Sequence, residues 1–294
     1  RRAVLSILGG FEVLKGTGFA DNLTTSVSRT TLIGGDGNDT ITATAGARIT
    51  IFGGDGNDSI AATAGSQITI FGGDGNDSIL AGGASQVTTV GEAGNDTVTV
   101  ADGVEVRVFG GEGNDSMVAA GGTLITIFGE TGDDTLTATG GDQMSLFAGN
   151  GNDCLAATGG TAVVLLGEVG NDTLFATGTA GTILFGGRGD DVLNAANAIS
   201  PLLFGDDGND TYAFGASSNP MHVQVKEILT LDVTDNERAT RGDDTLDLSA
   251  FFSVSVNLGV FGSEQDTLVG DQSIGFNLSL TIFGDFENFF GTAG

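Results

Sequence analysis

Apolar and polar residues alternate along most of this chain in short runs, and the runs come in pairs. In "TITA", residues 40 to 43, Ile41 and Ala43 share one face and Thr40 and Thr42 the other. In "RITIF", residues 48 to 52, Ile49 and Ile51 repeat the arrangement. Period-two patterning over so few residues, bounded by glycine, predicts β-strands. The phase then holds for ten copies. The Ile41 position reads Ile, Ile, Ile, Val, Met, Leu, Leu, Leu, Leu and Tyr212 at nineteen-residue intervals, and the Ala43 position is alanine in eight of ten.

A six-residue block separates the pairs: GGDGND at 34, 53 and 72, then GEAGND at 91, GGEGND at 110, GETGDD at 129, AGNGND at 148, GEVGND at 167, GGRGDD at 186 and GDDGND at 205. Each unit therefore reads turn, strand, turn ("TAGA"), strand. Nineteen residues are too few for a βαβ crossover but fit one coil of a parallel β-solenoid. At roughly 4.8 Å per coil, ten coils make a rod about 48 Å long. Its interior is two thin strands facing each other, a weak core that leaves the turn chemistry decisive.

Within the block, position three runs through Asp, Ala, Glu, Thr, Asn, Val and Arg, so its side chain is nearly unconstrained. Position six is always aspartate: Asp39, Asp58, Asp77, Asp96, Asp115, Asp134, Asp153, Asp172, Asp191 and Asp210. Position four is always glycine: Gly37, Gly56, Gly75, Gly94, Gly113, Gly132, Gly151, Gly170, Gly189 and Gly208. Position one is Gly34, Gly53, Gly72, Gly91, Gly110, Gly129, Gly167, Gly186 and Gly205, with Ala148 the exception. Glycines at positions one, two and four permit positive φ and leave backbone carbonyls free to converge. Stacking brings aspartates of successive coils together. Without a counter-ion that column of like charges is repulsive. A hard dication taking six to eight oxygens resolves it, and calcium suits a flexible all-oxygen cage better than magnesium. Tight Asn-Asp turns alone would explain one copy, but not ten in phase.

Composition sharpens this. The chain of 294 residues has 51 glycines, two lysines, eight arginines and a formal charge of −28. Phosphate neutralisation needs clustered Lys and Arg, so nucleic acid is excluded as a partner. About ten Ca²⁺, one per coil, would bring the charge to roughly −8. Cys154 is the single cysteine and replaces a Thr or Ser of the repeat, so no intrachain disulfide forms. No apolar run approaches a membrane span, and "RRAVLSILGGFEVLKG" lacks a signal-peptide core and cleavage site.

"GGDGNDTIT", "GGDGNDSIA" and "GGEGNDSMV" resemble the RTX calcium-binding nonapeptide, GGxGxDxUx, over residues 34 to 214. The resemblance implies an all-β, right-handed parallel β-roll with calcium in its turns, carried out of the cell by type I secretion and folded outside. That family usually places two nonapeptides in one coil and calcium along both edges. Here the second half of each unit, "ATAGARITI", lacks the motif, so one calcium row along one edge is expected. Nineteen-residue units of this kind also occur in large bacterial adhesins, including ice-binding ones.

The ends are less regular. "GTGFAD" at 16 to 21 is a degenerate first turn, with Asp21 at the ligand position, and residues 1–30 are read as N-terminal coils before a ten-coil solenoid at 31–214. Beyond it, 215–294 is read as irregular continuation or capping, with "VSVNLG" and "LSLTIFG" as strands and Asp244 as a further ligand candidate. "ILGGFEVLKGT" at 7 to 17 aligns with "IFGDFENFFGT" at 282 to 292, which suggests a module of a larger tandem protein.

The leading functional reading is a calcium-dependent structural or adhesive module of a large secreted surface protein: an adhesin, surface layer or extracellular filament. Its expected partners are other copies or modules, end to end or side by side, and a cell-surface or glycan ligand. The alternatives are an ice- or ligand-binding solenoid, through outward ladders such as Thr31, Thr50, Thr69 and Thr88, and the noncatalytic tail of a secreted enzyme. No HExxH, GxSxG or GxxxxGK occurs, and the one histidine, His222, sits in an irregular stretch. A ladder of Phe52, Phe71, Phe109, Phe128, Phe147, Phe185 and Phe204 remains. Strict alternation points it outward as an association surface, whereas a bulge at the turn would tuck it into the core, which is the expectation.

Overall fold

The computed structural model describes residues 3–7, 13–63 and 65–213, together with strands at 222–226, 245–247, 256–258, 279–283 and 288–290. The described residues form strands and no helix. Two compact units divide at 150/151, and each is a parallel β-solenoid of two sheets.

In the first unit, one sheet collects the strands that leave the turns: Asn22–Thr25, Thr40–Ala43, Ser59–Ala62, Ser78–Gly82 and their successors. The other collects the strands that enter them: Thr30–Asp36, Ile49–Asp55, Gly65–Asp74, Ala84–Ala93 and onward. Ile41 pairs with Ile60, and Phe52 with Phe71, so like stacks on like nineteen residues away. The first coils are one residue shorter: Val4 pairs with Asn22 and Asn22 with Thr40. In the second unit the same alternation runs through Cys154–Thr158, Thr161–Val169, Thr173–Thr177 and Ile183–Arg188.

The core follows from the period of two. Ile41, Ala43, Ile49 and Ile51 of one coil are all at most 1% exposed, as are Leu136, Ala138, Met144 and Leu146 of another. Alanine at the Ala43 position keeps the sheets close. Branched residues opposite fill the gap, and full burial of each is worth about 1.5–3 kcal/mol.

The phenylalanine ladder departs from expectation. Strands such as Ile49–Asp55 run straight through into position three of the turn, so no bulge resets the alternation. Gly53 takes the inward place and Phe52, 39% exposed, the outward one. The rings stack face to face along the outer surface, with centroids 5.0 Å apart for Phe52 and Phe71 and 4.9 Å for Phe109 and Phe128. In the second unit Phe185 and Phe204 stack at 4.5 Å. Parallel in-register pairing makes this possible, because identical residues lie one strand spacing apart.

Past 213 the strands do not stack in chain order. His222–Lys226 pairs with Leu202–Asp207, Ser279–Phe283 pairs with His222–Lys226, and Val256–Leu258 lies outside that, on Ser279–Phe283. The two matching end segments also fall on opposite sheets. Val13–Lys15 joins the strands that enter the turns, while Asn288–Phe290 pairs with Thr245–Asp247 among those that leave them. Sequence likeness at the ends is therefore not likeness of place in the coil.

Candidate metal centre

The turn is built by three glycines acting in two ways. Positions two and four need positive φ: Gly35 has 114° and Gly37 has 107°, conformations that disfavour any side chain. Position one does not have positive φ, contrary to expectation. Its glycine is there for room. A Cβ on Gly34 would run into Asp39 Oδ2 and the carbonyl oxygen of Gly53 in the next coil. The same collision recurs at Gly53, Gly72, Gly91, Gly110, Gly167 and Gly186. The cradle is thus a carboxylate oxygen and a carbonyl oxygen brought together over a bare Cα.

Two hydrogen-bond ladders hold the aspartates in place. Oδ1 of each accepts from the backbone N–H of the aspartate one coil earlier: Asp39 to Asp58, Asp58 to Asp77 and Asp96 to Asp115, each at 2.7 Å. The position-five asparagines bond in the opposite sense, with Asn76 N–H donating to Asn57 Oδ1 at 2.9 Å and Asn95 N–H to Asn76 at 2.8 Å. Asp153, Asp172, Asp191 and Asp210 continue the aspartate ladder in the second unit. These asparagines were not singled out by sequence reasoning; their near-invariance at position five was the signal.

What the ladders leave over is the second oxygen. Asp39, Asp58, Asp77, Asp96, Asp115, Asp172 and Asp191 are at most 2% exposed, and their Oδ2 atoms have no hydrogen-bond partner. Asp134 is buried in the same column. Burial is the first cause pushing their carboxyls up: Asp58 to about 6, Asp77 to about 7, Asp115 to about 6, Asp172 to about 6 and Asp191 to about 8. Charge on neighbouring aspartates adds to the rise. A buried anionic oxygen without a donor is costly, and a cation is the group that relieves it.

The donor set fits calcium. The rungs of Asp39, Asp58, Asp77, Asp96, Asp115, Asp172 and Asp191 each offer a carboxylate oxygen and a facing glycine carbonyl, both hard oxygens. Among the described residues no three His, Cys, Asp or Glu side chains converge on one point. Backbone carbonyls and water must therefore complete any cage, as they do for calcium. The residues placed to hold it are the position-six aspartates and the position-one carbonyls. The position-four carbonyls run along the stack, that of Gly37 facing Gly56 and that of Gly56 facing Gly75.

The first and last turns depart from the pattern, one in each unit. Asp21 sits in register with Asp39, whose Oδ1 accepts from its N–H at 2.7 Å. Its Oδ2, however, accepts from Thr17 N–H and, at 2.8 Å, from Thr17 Oγ1. In the second unit, the phenol oxygen of Tyr212 stands against Gly205, where earlier turns present the carbonyl of the next coil. Asp244 lies outside the described residues, just before the strand Thr245–Asp247 that pairs with Thr211–Ala213.

Comparison with known families gives one match. The model of the RTX calcium-binding nonapeptide repeat (4 copies) fits residues 26–47, 50–66, 69–85, 106–123, 126–142 and 177–197. No curated protein matches the chain. Those six segments of the solenoid are RTX calcium-binding nonapeptide repeats.

Proposed function

We propose that this chain, a β-solenoid of RTX calcium-binding repeats, is a calcium-dependent structural and adhesive module of a large secreted surface protein, noncatalytic and folded on calcium after export. One observation carries the reading: the buried Oδ2 atoms of Asp39, Asp58, Asp77, Asp96, Asp115, Asp172 and Asp191, which have no donor within the protein. A fold that buries such oxygens is much less stable without its ions, so calcium binding and folding are coupled. RTX repeats occur in secreted proteins, and calcium is abundant outside cells. About one ion per coil is the expected stoichiometry. The direct test is far-ultraviolet circular dichroism with calcium and after chelation. At neutral pH the β-sheet signal is expected to fall sharply with chelator and return with calcium; a signal indifferent to chelator would end the reading.

The stacked phenylalanines favour a second copy of this chain as a lateral partner. Their faces are already covered by one another, so they offer a strip of ring edges on a chain of charge −28. Two like-charged chains approach most easily where neither presents acid. Sedimentation of the calcium-loaded chain at rising concentration tests this: Phe109→Ser with Phe128→Ser is expected to abolish self-association.

A further inference from the structure

Position two of the turn is glycine in six of ten copies and acidic in the other four, Glu92, Glu130, Glu168 and Asp206, which recur every thirty-eight residues. Nothing but glycine or an acid occurs there in the ten copies. All four acids have φ between 73° and 81°, a left-handed conformation that disfavours a side chain. Surface charge alone does not require this. Position three, one residue on, carries Asp36, Asp55, Asp74 and Glu112 without positive φ.

What position two offers is nearness to the buried oxygens. The charge of Glu92 bears on Asp77 and Asp96, that of Glu130 on Asp115 and that of Glu168 on Asp172. In the first turn position two is Thr17, whose hydroxyl reaches Asp21 Oδ2 at 2.8 Å. A hydroxyl satisfies that oxygen. A carboxylate cannot; it adds a second negative charge beside Asp77, Asp96, Asp115 and Asp172, whose Oδ2 atoms are buried and lack a donor. The three glutamates are exposed.

We propose that Glu92, Glu130 and Glu168 are calcium-directed carboxylates, which make the ion sites beside Asp77, Asp96, Asp115 and Asp172 more strongly charged than those of turns with no glutamate near them. The proposal rests on the calcium reading above and adds a second class of site to it. The number of ligand charges is what tunes calcium affinity at a site of given shape. Asp206 shares the backbone conformation, but it is one methylene shorter and its charge is not among those acting on Asp191. The proposal stops at Glu168.

The test uses the full chain and calcium alone. E92Q/E130Q/E168Q keeps side-chain length and backbone strain but removes the charges. E92G/E130G/E168G removes both. D36N/D55N/D74N removes as many charges from exposed position-three sites. Half-saturating calcium is read by circular dichroism, and ions bound by equilibrium dialysis. The glutamine triple is expected to raise half-saturating calcium about tenfold. The glycine triple raises it less, because released strain favours the fold, and the position-three triple leaves it nearly unchanged. An unaltered glutamine triple overturns the proposal. So does a position-three triple that moves as far, since general repulsion would then explain both. If the native chain binds no calcium, the calcium reading itself fails, an outcome separate from either of these.

Discussion

Asp21 and Asp58 occupy the same place in their turns and have opposite electrostatics. Both are buried, and both use Oδ1 to accept from the backbone of the coil before. They differ in one atom. Asp21 Oδ2 has Thr17, and its carboxyl is held below the usual range, first by the Ala3 N–H and further by Thr17. Asp58 Oδ2 has no donor, and burial lifts its carboxyl to about 6. The aspartate by itself therefore does not define an ion site; a missing donor for its second oxygen does. By that criterion the column of proposed ion sites begins at Asp39.

Substituting asparagine at each place breaks the comparison most sharply. Asp58→Asn with Asp77→Asn keeps Oδ1 for the ladder but removes the charge an ion would meet. Two bound ions are expected to be lost, and at saturating calcium the fold loses about 4 kcal/mol or more per site, the linkage expected near a thousandfold excess over Kd. Asp21→Asn is expected to leave the number of ions unchanged while weakening the first coil with or without calcium. Dialysis against calcium with urea unfolding reads both. An ion lost from Asp21→Asn would place the start of the row one coil earlier.

The pH dependence without calcium differs in sign between the two rungs. A carboxyl raised on folding binds its proton more tightly in the native state, so stability falls as pH rises from the unfolded value of 3.8 through the folded one. For Asp58, Asp115 and Asp172 that window closes near 6, for Asp77 near 7 and for Asp191 near 8. Asp21, lowered on folding, contributes stability above 3.8 that disappears in acid. Chelated protein is therefore expected to be more stable toward urea at pH 5 than at pH 8. Calcium reverses the slope, since its ligands must be deprotonated. A flat profile in chelator would show that the buried oxygens are relieved some other way.

Strands, coil length and the aspartate column were legible because each rests on strict repetition: period two for Ile49 and Ile51, period nineteen for the turns. The phenylalanine ladder was misjudged because a bulge was allowed at the turn, and only the continuous strand Ile49–Asp55 excludes it. The role of Gly34 was hidden for a different reason. Sequence shows a glycine, but whether it serves φ or space depends on what lies opposite, here the carbonyl of the next coil. Thr17 was passed over because it departs from the motif, and that departure is what satisfies Asp21. The acids at position two were visible as an alternation of thirty-eight residues, hidden beneath the stronger repeat of half that length.

The mildest change acts on the donor itself. Thr17→Val removes one hydroxyl and leaves Thr17's backbone N–H bonded to Asp21 Oδ2, so the first rung moves part of the way toward the electrostatics of Asp58. The Asp21 carboxyl then rises, and the first coil loosens when calcium is absent. The loss is small, since one of two donors remains: a drop in Tm of about 2–4 °C. With calcium present the same variant is expected to recover most of that drop, because an under-satisfied oxygen facing Gly34 O now resembles the cradles further along. Thermal unfolding of native and variant chains, each with and without calcium, reads the difference of differences. Equal drops in both conditions would mean that a lost donor at Asp21 is not made good by an ion, and the two rungs would then differ in more than one atom.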